Sequence, residues 1–299
     1  MSADPRASPC GVLLLDKPQG LSSNAVLQRV RRLLGGHKAG HVGSLDPLAT
    51  GMLPICVGEA TKVAGELVGG RKCYRFTIAL GTRTDTGDRE GAVVAQAPVP
   101  PLESAALAAA LARFCGPSSQ VPPMYSALKR DGQPLYRLAR AGIEVQRAPR
   151  QIRIDALELM GLGPGELDLQ VVCSKGTYVR SLAEDIAQAL GSCGHVSALR
   201  RQYVEPFEDE PMCTLEELEA CSRQGCRPPL IGADRALPTL PALEVSDAAA
   251  VRLRQGQQLE LEQAGVCGRV RLYQPSGGFF GLGEIDEWGL LRPKRLFNA

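Results

Sequence analysis

Between Gly40 and Pro54 the chain reads Gly40-His41-Val42-Gly43-Ser44-Leu45-Asp46-Pro47-Leu48-Ala49-Thr50-Gly51-Met52-Leu53-Pro54. Three glycines and two prolines in so short a stretch bar a helix from it. Pro47 fixes its own φ and pushes Asp46 out of helical geometry, while glycine reaches backbone angles closed to other residues. The one carboxylate, Asp46, is therefore presented on a stiff turn that a large substrate could approach. Alone, such an acid reads as readily as an ordinary turn residue. The rest of the chain has to decide.

Around this turn the pattern mixes strands and helices. Residues 12–15 read as a short buried strand. Ser22 or Ser23 caps a helix with Val26, Val30, Leu33 and Leu34 on its apolar side, and Gly35-Gly36 stops it. Residues 73–80 alternate, Tyr74, Phe76, Ile78 and Leu80 facing one way, as in a half-buried strand. An Ala- and Leu-rich helix is predicted over 102–114, strands over 152–159 and 167–173, and a helix over 178–190. Thr214 with Glu217 spells a capping box. Because β-α-β alternation is irregular, the expected fold class is α+β, a mixed, largely antiparallel sheet flanked by helices.

Four prolines in residues 227–241 mark a linker, and strand-like runs at 269–273, 279–282 and 290–297 follow it. The domains expected are a disordered leader over 1–10, a large domain over 11–238 and a small β-rich domain over 239–299.

Net charge is only +2, so the distribution of charge carries more than its sum. Residues 129–153 hold seven basic residues, Lys129, Arg130, Arg137 and Arg140 among them, against two acidic ones. Residues 205–219 hold seven acids. A basic face set against an acidic one suits a protein that binds a polyanion, although a basic run alone reads more readily as a solvated helix face. The ten cysteines have no Cys-x-x-Cys spacing, and Cys213, Cys221 and Cys226 with His195 fit no usual zinc site. Reduced thiols, no metal and no cofactor are expected. Residues 1–20 lack a signal-peptide pattern, and no run approaches the length of a membrane span, so a cytoplasmic protein is expected.

The turn around Asp46 resembles the nucleophile motif of the TruB family of tRNA pseudouridine synthases. Five further motifs resemble that family in its own order. They are Leu15-Asp16-Lys17-Pro18-Gln19-Gly20; Arg71-Lys72-Cys73-Tyr74-Arg75-Phe76 with Gly81-Thr82-Arg83-Thr84-Asp85-Thr86-Gly87-Asp88; Pro122-Pro123-Met124-Tyr125-Ser126-Ala127-Leu128-Lys129; Ser174-Lys175-Gly176-Thr177-Tyr178-Val179-Arg180; and Ala198-Leu199-Arg200-Arg201. Val42 and Ser44 depart from the commonest family residues.

The resemblance implies a pseudouridine synthase fold with a basic RNA-gripping insertion at about 122–152 and a PUA-like C-terminal domain. It implies a catalytic set of Asp46 as nucleophile, Tyr74 stacking on the base and Arg180. A carboxylate must be ionised to attack, and a guanidinium beside it lowers its pKa. His41, Tyr178, Leu199 (through its backbone) and Lys17 would contact substrate or support the floor of the site. Lys129, Arg130, Arg137 and Arg140 would hold RNA phosphates.

The activity implied is isomerisation of uridine 55 in the T-loop of tRNA, flipped out of its stack, by a monomer without guide RNA. The alternatives are the catalytic subunit of a guide-RNA particle and an RNA-folding chaperone whose catalysis is secondary.

Overall fold

The structure, a computed structural model, describes residues 9–261 and 265–298. Most of the expected leader, residues 1–8, lies outside the described residues. The chain opens with strand β1 (Gly11–Lys17), the run expected over 12–15 extended at both ends. Helix α1 (Ser23–Leu33) follows. Ser22 is its cap, accepting from the Ala25 N–H at 3.2 Å, and Val26, Leu27 and Val30 form its buried side. Strands β2 (Ala39–His41) and β3 (Thr50–Val57) bracket the Asp46 turn.

After the one-turn helix α2 (Ala64–Leu67) comes β4 (Lys72–Leu80), whose Tyr74, Phe76, Ile78 and Leu80 are all buried as the alternation predicts. A small hairpin, β5 (Thr82–Thr84) and β6 (Val93–Gln96), precedes the Ala-rich helix α3 (Ser104–Ala112) and strand β7 (Gly116–Gln120). The chain then leaves the sheet for a hairpin, β8 (Lys129–Arg130) and β9 (Gln133–Pro134), and helix α4 (Leu135–Arg140). It returns as β10 (Arg150–Gly163) and β11 (Glu166–Cys173), helix α5 (Val179–Ala189), strand β12 (Gly194–Val204) and helix α6 (Leu215–Arg223). Thr214 and Glu217 close the expected capping box on α6.

Eight strands make one sheet, ordered β1-β3-β12-β4-β11-β10-β7, with β2 paired to β3. Every pair is antiparallel except β3 with β12, which meet only at Thr50–Arg200 and Gly51–Arg201. Farther along, β3 pairs with β2 through Ile55, Cys56 and Val57. Apolar residues of α1, α3, α5 and α6 pack with Leu45, Leu48, Tyr74, Phe76 and Leu199 in one core. The mixed, largely antiparallel α+β architecture is the one the pattern calls for.

The C-terminal part is a five-stranded sheet ordered β13-β15-β16-β17-β14, from β13 (Ala242–Glu244), β14 (Leu259–Glu260), β15 (Gly268–Tyr273), β16 (Phe279–Ile285) and β17 (Leu290–Leu296). It also holds a helix the sequence reading missed, α7 (Asp247–Arg254), capped by Ser246. The Pro-rich stretch expected to be a linker is packed. Ile231 exchanges backbone hydrogen bonds with Val12 at 2.8 and 2.9 Å. Ala233, Ala236 and Leu237 share a second core with Val12, Leu14, Met52, Leu282 and Phe297, so the small sheet is seated on β1 and β3. Prolines there shape a path along the sheet edge rather than a free tether.

Candidate active site

The turn from Gly43 to Gly51 is fixed at both ends. Ser23, at the start of α1, accepts from the Leu45 N–H at 2.7 Å and donates to the Leu45 carbonyl at 2.9 Å. Leu45 and Leu48 are buried on either side of Asp46 and anchor it as a pair of apolar pegs. The Ala49 N–H returns to the Asp46 carbonyl at 3.1 Å, and the Gly20 N–H reaches Pro47 O at 2.8 Å. Gly51 has φ +98, and a Cβ there would stand 2.1 Å from the Arg201 carbonyl, so only glycine passes.

Two cations brace this turn from within the protein. Lys17 is wholly buried, and its Nζ donates to Leu21 O at 2.6 Å, Pro18 O at 2.9 Å and Pro47 O at 3.4 Å. Burial lowers its pKa to about 8, which the charge of Asp46 partly resists. Arg201, 1% exposed, donates from Nε to Met52 O at 2.6 Å and from Nη2 to Gly43 O at 2.9 Å. It ties β12 and β3 to the start of the turn.

Asp46 projects from this frame with its side chain 38% exposed. Arg180, on the first turn of α5 and 4% exposed, meets it directly: Nε lies 2.9 Å from Oδ2 and Nη2 3.3 Å from Oδ1. Nη1 donates to Thr86 O at 2.5 Å and Nη2 also to Tyr125 O at 2.6 Å, and buried Asp88 stands 3.9 Å from Nε. Burial is the largest influence on the Asp46 carboxyl and pushes it above the ordinary carboxylate range; Arg180 pulls it down, Asp88 adds to the rise and Lys17 opposes it. The expected net lowering is therefore corrected. Arg180 does favour the charged form, but desolvation in the cleft outweighs it.

Tyr74, 9% exposed, lies in register with Arg201 across β4 and β12. Burial raises its phenol, while the charge and hydrogen bonding of Arg201 draw it back. Tyr178 precedes α5, and the amide of buried Gln120 clasps its backbone, with the Tyr178 N–H donating at 2.8 Å and its carbonyl accepting at 3.1 Å. Its phenol is raised by burial and lies near Ser126, Arg150 and Arg180. His41 is pushed down by burial and by Arg201, which keeps the imidazole uncharged at neutral pH, and its buried Nδ1 has no partner among the described residues. Leu199 lies on β12, where a hollow of about 310 Å³ is lined by Gln19, Leu48, Thr50, Phe76 and Leu199 with Arg75, Arg89 and Arg200. A second hollow, about 500 Å³, has Arg180, Gln120 and residues 121–124 in its wall.

Asp46 thus pairs directly with Arg180, and Lys17, Tyr74 and Tyr178 stand close enough to sense its charge; His41 is linked to this group through Arg201, and Leu199 lines the first hollow beside Leu48. Lys129, Arg130, Arg137 and Arg140 do not join them; they stand exposed on the excursion between β7 and β10. Helix α4 begins directly after Pro134. Arg130 faces Asp131 at 3.9 Å, while Lys129, Arg137 and Arg140 make no ion pair among the described residues. The excursion is rooted at the site, because the Tyr125 carbonyl that opens it holds Arg180.

Sequence reasoning missed Asp88, Arg201, Ser23 and Gln120. Asp88 and Arg201 stood inside quoted motifs, but one reads as a turn acid and the other as half of a surface Arg-Arg pair. Their burial could not be read from spacing. The imagined zinc set is not assembled: His195 Nδ1 sits 2.9 Å from Thr82 O, and no group of three or more His, Cys, Asp or Glu among the described residues is arranged for a metal. No helix among them is long and apolar enough to cross a membrane.

Comparison with known proteins gives concordant matches along the chain. Residues 31–179 match the TruB family pseudouridylate synthase N-terminal domain, 180–228 the tRNA pseudouridylate synthase B C-terminal domain, and 241–297 the pseudouridine synthase II TruB C-terminal domain. The tRNA pseudouridine synthase B of Aromatoleum aromaticum is 50% identical over 292 residues, 97% of this chain and 93% of that protein. The protein of the same name from Pseudomonas fluorescens is 47% identical over 298 residues, 98% of this chain and 97% of its own. Among solved structures, an archaeal box H/ACA sRNP Nop10-Cbf5 complex matches with a TM-score of 0.73 at 23% identity, over 98% of this chain and 87% of that one. A Cbf5-Nop10-Gar1 complex gives 0.74 at 24%, over 99% of this chain and 89% of that one. At that identity the likeness is one of fold.

Proposed function

The chain belongs to the TruB family of pseudouridylate synthases, and on that premise we propose that it isomerises uridine 55 in the T-loop of tRNA to pseudouridine, without guide RNA. The observation that carries this reading is the partly exposed carboxylate of Asp46 clasped by the buried guanidinium of Arg180. The names of relatives about half identical over nearly the whole chain support tRNA as the substrate.

The reaction breaks the bond between the uracil nitrogen and the sugar and rejoins the ring through carbon 5, with no net redox change. A carboxylate serves here because it can attack and later leave. Arg180 favours the ionised form of Asp46 and orients it. Reaching the cleft requires the target base to leave its stack, at a cost of a few kcal/mol. Stacking on Tyr74 and contacts of Tyr178, His41 and the Leu199 backbone would offset that cost, and the cations of the 122–152 excursion would hold the RNA backbone.

The test is to incubate the purified chain with an unmodified tRNA transcript, no other RNA or protein present, and to map pseudouridine. Conversion confined to nucleotide 55 is the expected result. No conversion, or conversion elsewhere in the transcript, would overturn the proposal.

A further inference from the structure

Helix α6 ends in a turn closed by two hydrogen bonds. The Cys226 N–H donates to the Cys221 carbonyl at 2.9 Å and the Gly225 N–H to Ser222 O at 3.3 Å, with Gly225 at φ +66. This is a Schellman arrangement, which brings the side chain three positions before the helix cap against the one two positions after it. That contact is usually apolar. Here both positions are cysteine and both thiols are free; the Cys221 thiol donates to Arg227 O at 3.2 Å and the Cys226 thiol to Gln224 Oε1 at 3.7 Å. Cys226 is exposed and Cys221 half-buried.

We propose that Cys221 and Cys226 form a reversible thiol–disulfide site that closes across the α6 turn on meeting a low-molecular-weight disulfide. The backbone hydrogen bond joining the two residues, 2.9 Å from N to O, holds their backbones side by side, and the bridge forms once the thiols turn from Arg227 O and Gln224 Oε1 toward each other. Exposed Cys226 is the thiol a soluble oxidant reaches. Its thiolate attacks one sulfur of the oxidant and releases one small thiol. The Cys221 thiolate then attacks the Cys226 sulfur and releases the second. Two protons leave the protein, two electrons reduce the oxidant to two thiols, and one sulfur–sulfur bond forms. Burial and the neighbouring Cys226 raise the Cys221 thiol, which leaves exposed Cys226 as the group that meets the oxidant first.

Cys213 is the nearest competitor, since its thiol and that of Cys221 sense each other. Its backbone, however, is bound to β1 on both sides, through Leu14 O at 2.8 Å and the Asp16 N–H at 2.9 Å. The dithiol stands apart from catalysis. α6 rests on α1 through the Arg29–Glu219 ion pair and the Ser222 hydroxyl donating to Leu33 O at 3.2 Å, and the turn touches neither Asp46 nor Arg180.

The experiment treats the full chain with oxidised glutathione, blocks remaining thiols and maps peptides by mass. The expected product has lost two hydrogens in a bridge joining Cys221 to Cys226, regains them with dithiothreitol, and keeps buried Cys56, Cys73 and Cys173 reduced. The Cys221→Ser chain, checked for folding by circular dichroism, is expected to stop at a glutathione adduct on Cys226. A stable adduct on Cys226 of the unsubstituted chain, or a bridge from Cys213, would overturn the proposal.

Discussion

Arg180 meets Asp46 edge-on, one donor to each carboxylate oxygen, with Nε 2.9 Å from Oδ2 and Nη2 3.3 Å from Oδ1. The same guanidinium is held by two backbone carbonyls, those of Thr86 and Tyr125. A planar fork satisfies all these acceptors at once, and a lysine ammonium cannot. Arg180→Lys keeps the charge but loses the geometry. The single-turnover rate at saturating tRNA should fall roughly 10²–10³-fold, the loss typical of one preorganised donor. Binding measured by nitrocellulose filtration should be unchanged.

The pH dependence follows from the direction of the Asp46 shift. Its carboxyl titrates above the ordinary range because burial disfavours the charge, and Asp88 adds to that rise. The proposed attack needs the ionised form, so activity should fade with falling pH earlier than for an exposed aspartate. Asp88→Asn removes a neighbouring negative charge and should move this acid limb to lower pH. A profile of kcat/KM against pH checks the sign; a limb moved to higher pH would contradict it.

Lys17 supports the turn from below through three carbonyls. Lys17→Met strands buried acceptors at about 1–3 kcal/mol each when they find no substitute, so urea unfolding should show a loss of about 2–4 kcal/mol. The pH dependence of that loss has a definite sign. With a folded value near 8 against 10.5 unfolded, the unfolded chain binds the extra proton between these pH values. Stability from this group therefore rises with pH across that window and levels off above it. The gap between the natural chain and the Met variant should widen from pH 8 to 10.5.

On the proposed reading the cations of the excursion act through phosphates. Replacing Lys129, Arg137 and Arg140 together by alanine should weaken tRNA binding and flatten its salt dependence by roughly 0.7–0.9 in log–log slope for each phosphate no longer neutralised. The single-turnover rate at saturating tRNA should stay as it was. A lower rate at saturation would place these side chains in the chemistry instead.

Much of this site was legible because its residues are locally unusual. The glycine and proline frame announces the Asp46 turn, and the alternation of β4 announces the strand under Tyr74. Strand β12 was not legible: bulges between Val196 and Ala198 and between Arg201 and Tyr203 break its alternation, and Arg200-Arg201 disguises it as surface. Arg201 is buried because carbonyls of Gly43 and Met52, far away in sequence, arrive to receive it. Asp88 likewise becomes a neighbour of Arg180 only when the β5–β6 hairpin folds against α5. The linker reading failed because proline content reports conformation and not burial. Leu237 and Phe297 find one core only in three dimensions.

On the proposed function Asp46 is the residue on which the reaction rests, and tritium release from uridine labelled at carbon 5 in a tRNA transcript reports the reaction directly. The Asp46→Asn protein should release tritium at least about 10³-fold more slowly than the natural chain while binding the transcript within about twofold of its affinity. Release at the natural rate from that variant would contradict the account.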